Sequence, residues 1–281
     1  VKAIKSPREV LEIDSDRDGL KDWEETLWGL DPLKQDTNSD GIPDAEEVKK
    51  RMKEIDTKGI SKDSSGDDII NSQYATDTET SLISKKLFAE YINLKQSGNL
   101  NQDTINATAD NLVAEEIKSQ KPVQYYFPKD IKSFPSGDKI LLKKYGNSFA
   151  SIRTKYLNQI LQNPLIKGEG PDNIENPEYL KNFTLISSIY KNMAIELSRL
   201  SAPKDLAENH MEILNNYMAS SDGLKGIGTL LTDPVMGMIG TQRHAEAEQN
   251  EKLLLKKIAE NLFGSGIIFS ENESGIFWNN I

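Results

Sequence analysis

The sequence predicts an all-α protein in two parts: a small N-terminal module built on two acidic loops, then an antiparallel helical bundle ending in a short β-hairpin. Three observations carry this reading. The twelve-residue pattern D-x-[DN]-x-D-G-x-x-D-x-E-E occurs twice, at Asp14–Glu25 and at Asp36–Glu47. From about residue 80 onward, apolar residues recur at steps of three and four, the spacing of helices with one buried face. The intervening stretch 56–77 is polar, with Gly59, Gly66 and several serines, and has the composition of a linker. The divisions expected are a module over 1–55, a linker over 56–79, a helical bundle over 80–263 and a strand pair or tail over 264–281.

Ser6-Pro7 is a good helix start, with Pro in the first turn, and a short helix is expected from there to Ile13. The two loops follow, and both satisfy the full calcium-loop signature D-x-[DN]-x-[DN]-G-x5-E. Calcium is a hard cation that takes six to eight oxygen ligands. Oxygens at positions 1, 3 and 5 converge only if the backbone curls around the ion. The glycine at position 6 (Gly19, Gly41) permits that turn. The ligands expected in the first loop are Asp14, Asp16, Asp18, the carbonyl of Leu20, Asp22 directly or through water, and a bidentate Glu25. Those of the second are Asp36, Asn38, Asp40, the carbonyl of Ile42, Asp44 and Glu47. Residues 1–47 carry 14 acidic and 6 basic side chains, a net charge of −8. Without cations these carboxylates repel one another, and the segment should loosen; two Ca2+ ions are therefore expected.

A short helix is expected at Trp23–Trp28 and a longer one at Asp44–Ile55. Only ten residues, Thr26 to Gln35, separate the loops, and they include Gly29, Asp31 and Pro32. An exiting helix, a linker and an entering helix do not fit there, so this is not a paired EF-hand. Pro43 has no N–H, so it cannot donate to a β-bridge between the loops. The run DSDRDGLKDWEETLWGLDPLKQDTNSDGIPDAEEVKK resembles the thrombospondin type-3 repeat-like, EF-hand-like calcium modules of bacterial surface proteins. Leu30-Asp31-Pro32 matches their x-D-P turn, and Asp36-Thr37-Asn38 their second-loop opening, with Asn where Asp is common. The resemblance covers about residues 10–52. It implies calcium-stabilised structure in a secreted or cell-surface protein. Dockerins also carry two loops, but place a longer helical segment between them and usually close the loop with Asp.

Six helices are expected beyond the linker. The stripe Ile83, Leu87, Tyr91, Leu94 ends at Gly98, and Ile105, Ala109, Leu112, Val113, Ile117 stops before Pro122. Leu141, Tyr145, Phe149, Ile152, Tyr156, Ile160 ends at Asn163-Pro164. Asn176-Pro177 opens a fourth helix with Phe183, Ile186, Tyr190, Met193, Leu197 and Leu200. Ser201-Ala202-Pro203 opens a fifth with Leu206, Ile213, Tyr217 and Leu224, and Asp233-Pro234 a sixth running to about Phe263. Residues 121–137, with Tyr125, Tyr126, Phe127 and Phe134 among three prolines, form an irregular aromatic crossover, expected to cap the bundle. At the C-terminus Ile267–Phe269 and Ile276–Trp278 flank a turn, the pattern of a hairpin.

Composition narrows the function. The net charge of −10 argues against nucleic-acid binding, which depends on neutralising phosphates. The absence of cysteine excludes disulfides, Cys-zinc sites and thiol catalysis. No stretch of 18 apolar residues is present to span a membrane. Val1 in place of Met is expected of a processed or truncated product, with room upstream for a signal peptide or membrane anchor. His210 falls on an apolar stripe and is expected to be a hydrogen-bonded core residue. His244 and Glu248 have the spacing of a helical ion pair. No H-E-x-x-H, G-x-S-x-G or Walker loop occurs, so no catalytic residue is marked. The reading is a non-enzymatic calcium-binding structural or interaction protein, extracellular or at the cell surface, with a protein partner or self-association. Its rivals are a subunit of a surface array or filament, and a wall-associated hydrolase with a calcium-stabilised appendage.

Overall fold

The computed structural model describes residues 13–58, 78–99, 101–168 and 176–281. The helix expected over 6–13 and most of the expected linker lie outside the described residues. The described chain is mostly helical: α1 (Asp22–Trp28), α2 (Asp44–Lys58), α3 (Glu79–Gln96), α4 (Gln102–Ser119), α5 (Lys139–Leu161), α6 (Pro164–Lys167), α7 (Pro177–Leu197), α8 (Ala207–Ile227) and α9 (Pro234–Gly264). Among the described residues the strands are a single two-residue parallel pair, β1 (Ser133–Phe134) with β2 (Ala202–Pro203). None of the described helices is long and apolar enough to cross a membrane.

The chain forms two compact units. The first comprises residues 1–121 and 229–239, and the second 122–228 and 240–281. The helices α3 and α4, assigned from sequence to the bundle, pack in the first unit with the acidic loops. Two apolar clusters organise that unit. Leu20, Trp28 and Val48, with Leu30 and Ala45, join α1 to α2. Ile83 and Val113 meet Val235, Met238 and Ile239 from the start of α9. The turn between α3 and α4 is set by Gly98, at φ +72°, and by Asn101, whose side chain accepts from the Thr104 N–H while the Thr104 hydroxyl accepts from the Asn101 N–H. The buried Asp233 caps two helices at once. Its carboxylate accepts from the N–H groups of Glu79 and Thr80 at the start of α3, from the Thr80 hydroxyl, and from Met236 N–H at the start of α9. Three amides and one hydroxyl donate to this one carboxylate, which satisfies orphan amides at the start of both helices.

In the second unit, α7 and α8 run antiparallel. Residue 197 meets 210, 190 meets 217, and 187 meets 221. The helix α8 is likewise antiparallel to the 240–264 part of α9, with 216 against 247 and 220 against 244. The α8–α9 crossing is close enough that a Cβ on Gly240 would lie 2.4 Å from the Gly223 carbonyl oxygen, so only glycine fits. Phe149, Met193, Leu197, Ile213, Leu214, Tyr217, Ile258 and Leu262 fill the core. Of the two adjacent leucines at the start of α5, Leu142 is buried; Leu141, placed in the stripe from sequence, is exposed. The aromatic crossover, irregular apart from a 3-10 turn at Pro128–Asp130 and the short strand β1, is held on α8 by Asn215, whose Oδ1 accepts from the N–H groups of Tyr125 and Tyr126 and whose Nδ2 donates to the Tyr126 carbonyl.

The C-terminal hairpin expected from Ile267–Trp278 is not formed. Residues 267–270 form no strand, and Ser274–Asn280 is a 3-10 helix. The apolar residues anchor the tail on α5 rather than pairing with one another. The buried Trp278 packs its ring 5.3 Å from Phe149, and its Nε1–H donates to the Gly146 carbonyl. Gly275 N–H donates to Asn147 Oδ1, and Glu273 accepts from Ser270 N–H and from the Asn147 amide. These bonds engage backbone groups that a hairpin ladder would need.

Candidate metal centre

Both loops adopt the same backbone. Position 4 is left-handed in each, at Arg17 (φ +65°) and Ser39 (φ +60°), and so is position 6, at Gly19 (φ +100°) and Gly41 (φ +91°). The first aspartate of each loop accepts from the glycine amide five residues on, Asp14 from Gly19 and Asp36 from Gly41. Position 3 accepts from the position-5 amide (Asp16 from Asp18, Asn38 from Asp40). Position 5 accepts from the position-7 amide (Asp18 from Leu20, Asp40 from Ile42). These short side-chain turns curl the chain in both loops. In the first loop, oxygens of Asp14, Asp16 and Asp18 all lie within 4.8 Å of one another.

The position-9 aspartates close the loops. Asp22 accepts from the Ser15 N–H at 2.7 Å and its hydroxyl at 2.8 Å. Asp44 accepts from the Thr37 N–H at 3.1 Å and its hydroxyl at 2.6 Å. The backbone mirrors this, with Asp22 N–H donating to the Ile13 carbonyl and Asp44 N–H to the Gln35 carbonyl. Ser15 and Thr37 were not singled out in the sequence, although a hydroxyl at position 2 of both loops was the available signal. Leu20, read as a carbonyl ligand, also sends its side chain into the Trp28–Val48 cluster; Ile42 is exposed. Glu24 accepts from the Lys21 N–H and so belongs to the start of α1. The loops also touch each other. Asp18 Oδ2 accepts from Ala45 N–H, in the first turn of α2, and Gln35 Nε2 donates to the Asp16 carbonyl.

Glu25 decides how well a cation fits. Its side chain is fully buried, and neither carboxylate oxygen has a hydrogen-bond partner; Asp16 Oδ2 is in the same condition. Burial first, then the charges of Asp16, Asp18, Asp22 and Asp44, push the Glu25 carboxyl up to about 9. Burial also raises Asp16 and Asp22 to about 6. A buried carboxylate without a partner costs several kcal/mol. A divalent cation reverses that balance, because it is the largest charge in such a site and favours every ionised ligand around it. The donor set is all oxygen and mostly carboxylate, the chemistry of calcium rather than of a soft metal.

Comparison of this chain with family models, with curated proteins and with solved structures finds no match. The second unit adds no comparable cluster among the described residues. His210 is buried, its Nε2 lies 3.2 Å from the Leu197 carbonyl and its Nδ1 3.0 Å from the Tyr145 hydroxyl. A carbonyl only accepts, so Nε2 carries the proton and Nδ1 accepts from Tyr145. Burial lowers the imidazole to about 4, so it is neutral. His244 Nδ1 lies 2.8 Å from Ser220 Oγ, with Glu248 3.7 Å from the other nitrogen. Ser220 is buried, and its hydroxyl is engaged with His244.

Proposed function

We propose that this chain is an extracytoplasmic calcium-binding structural protein, in which two calcium ions rigidify the acidic loops of a largely helical protein that makes protein contacts. The observation that carries the reading is the Glu25 carboxylate, buried without a partner beside Asp16 and Asp18. The repetition of one backbone trace in both loops supports a site count of two. In the first loop Asp14, Asp16, Asp18, the Leu20 carbonyl, Asp22 and Glu25 would hold the ion. In the second, Asp36, Asn38, Asp40, the Ile42 carbonyl, Asp44 and Glu47 would do so. The ion supplies charge neutralisation and a fixed centre for the loop. The protein supplies the preformed curl, the hydroxyls of Ser15 and Thr37 that hold Asp22 and Asp44, and the Leu20–Trp28–Val48 cluster.

Placement outside the cytoplasm follows from availability, since loops of this kind span affinities of roughly 10⁻⁶ to 10⁻³ M, and millimolar calcium is found extracellularly. A protein partner or a second copy of the chain is the expected contact. Calorimetric titration of the metal-free protein with calcium chloride is the test. Two ions per chain are expected; a stoichiometry near zero at millimolar calcium would end the reading.

A further inference from the structure

We infer that the two loops are unequal calcium sites, loop 14–25 the tighter and loop 36–47 the weaker, because the second loop satisfies its own closing carboxylate. The inference rests on the calcium reading above and deepens it. The two loops share a backbone, so the difference lies in what surrounds position 12. Glu25 is fully buried with no hydrogen-bond partner, beside an equally unpartnered Asp16 Oδ2. An arriving cation has no protein hydrogen bond to displace there, and it gives the clustered oxygens a common partner. Glu47 is half-buried and already engaged. The Asn38 amide donates to its Oε1 at 3.2 Å, and the Arg51 guanidinium lies 3.7 Å from Oε2. A cation entering the second loop has to break that amide bond and compete with a guanidinium.

Three further differences act in the same direction. Position 3 is Asp16 in the first loop and Asn38 in the second, so the first set has five carboxylates at ligand positions and the second four. Affinity in calcium loops rises with ligand charge and with rigidity of the site. The first loop is also drier: Leu20 is buried, whereas Asn38, Asp40 and Ile42 are exposed. Attraction between unlike charges weakens as local water increases. Finally, the first loop is braced from outside, with Asp18 Oδ2 fixed by the Ala45 amide and the Asp16 carbonyl by Gln35.

The test is calorimetric titration of the full chain, stripped of metal, with calcium chloride. Two steps are expected, with dissociation constants at least about tenfold apart. Glu25→Gln should weaken the tighter step and Glu47→Gln the weaker one. Asn38→Asp, at an exposed position that does not threaten folding, should strengthen the weaker step by about fivefold or more. It supplies the missing carboxylate and removes the amide that holds Glu47. The tighter step should stay within about twofold. Two steps of equal affinity, or an Asn38→Asp effect on the tighter step alone, would overturn the inequality and leave the calcium reading standing. No binding in any of the proteins would remove both.

Discussion

The first acidic loop and the second compact unit solve the same problem, burying polar groups, in opposite ways. In the second unit the buried polar groups find partners within the protein. His210 is bonded at both nitrogens, Ser187 meets Ser221, Asn216 donates to the Ala247 carbonyl, and Arg153 lies against Glu251 and Tyr217. In the first loop the oxygens of Asp14, Asp16 and Asp18 crowd together, and Glu25 and Asp16 keep oxygens that no protein donor reaches. Buried polar atoms are nearly always paired in native proteins. On the calcium reading proposed above, a cation supplies the partner that these oxygens lack. The second unit should therefore be stable by itself, and the loops of the first should owe their order to a cation.

The largest effect should come from the apolar core of the second unit. Phe149, 0 % exposed, packs between Tyr145, His210 and Trp278. Phe149→Ala should cost about 3–5 kcal/mol, read from chemical denaturation, and the loss should be the same with calcium or chelator. A calcium-dependent loss would break the separation of the two regions.

Acid should act next, and again on the second unit. The His210 imidazole is lowered to about 4 by burial, against an ordinary value near 6.5. Below about pH 6.5 the unfolded chain takes up a proton that the folded one refuses until about pH 4. Stability is therefore unaffected above that window and falls as pH drops through it, by on the order of 3 kcal/mol in full. His210→Gln should flatten this part of the pH profile while lowering stability throughout. An unchanged slope would show that another group carries the titration.

A smaller effect is expected at the position-12 carboxylates. Glu25→Gln and Glu47→Gln should each weaken their own site by at least tenfold, about 1.4 kcal/mol. An amide offers one good oxygen and turns donors toward the cation. The neighbours should matter least. Glu24 accepts from the Lys21 amide and Glu46 is exposed, so Glu24→Gln and Glu46→Gln should change calcium affinity only through screened charge. Equal losses from adjacent residues would make the loops generic acidic patches.

Much of this was legible in the sequence, for identifiable reasons. Helix ends carry local chemistry: Asn163-Pro164 reads as the end of α5, which stops there, and Asn176-Pro177 as the start of α7, which Asn176 caps; the one-turn α6 that Asn163 also caps is not expected from the sequence. The turns of the two loops were legible because the Asp, Asn and Gly positions that curl the chain are set locally. What was not legible depends on partners far along the chain. Asp233 caps a helix that starts 154 residues earlier, and that tie draws α3 into the first unit. Leu141 and Leu142 fit a helical stripe equally well, and only packing selects Leu142. The tail 267–278 alternates like a strand pair, but its amide and indole groups are taken by Gly146 and Asn147 on α5.

The central claim, that a cation orders the loops while the second unit stands without one, is tested most directly by amide hydrogen exchange of the full chain in calcium and in chelator. The account predicts that residues 13–58 lose protection when calcium is removed. Residues 139–161, 177–227 and 240–262 should keep theirs. Unchanged protection across 13–58, or its loss along the whole chain together, would contradict it.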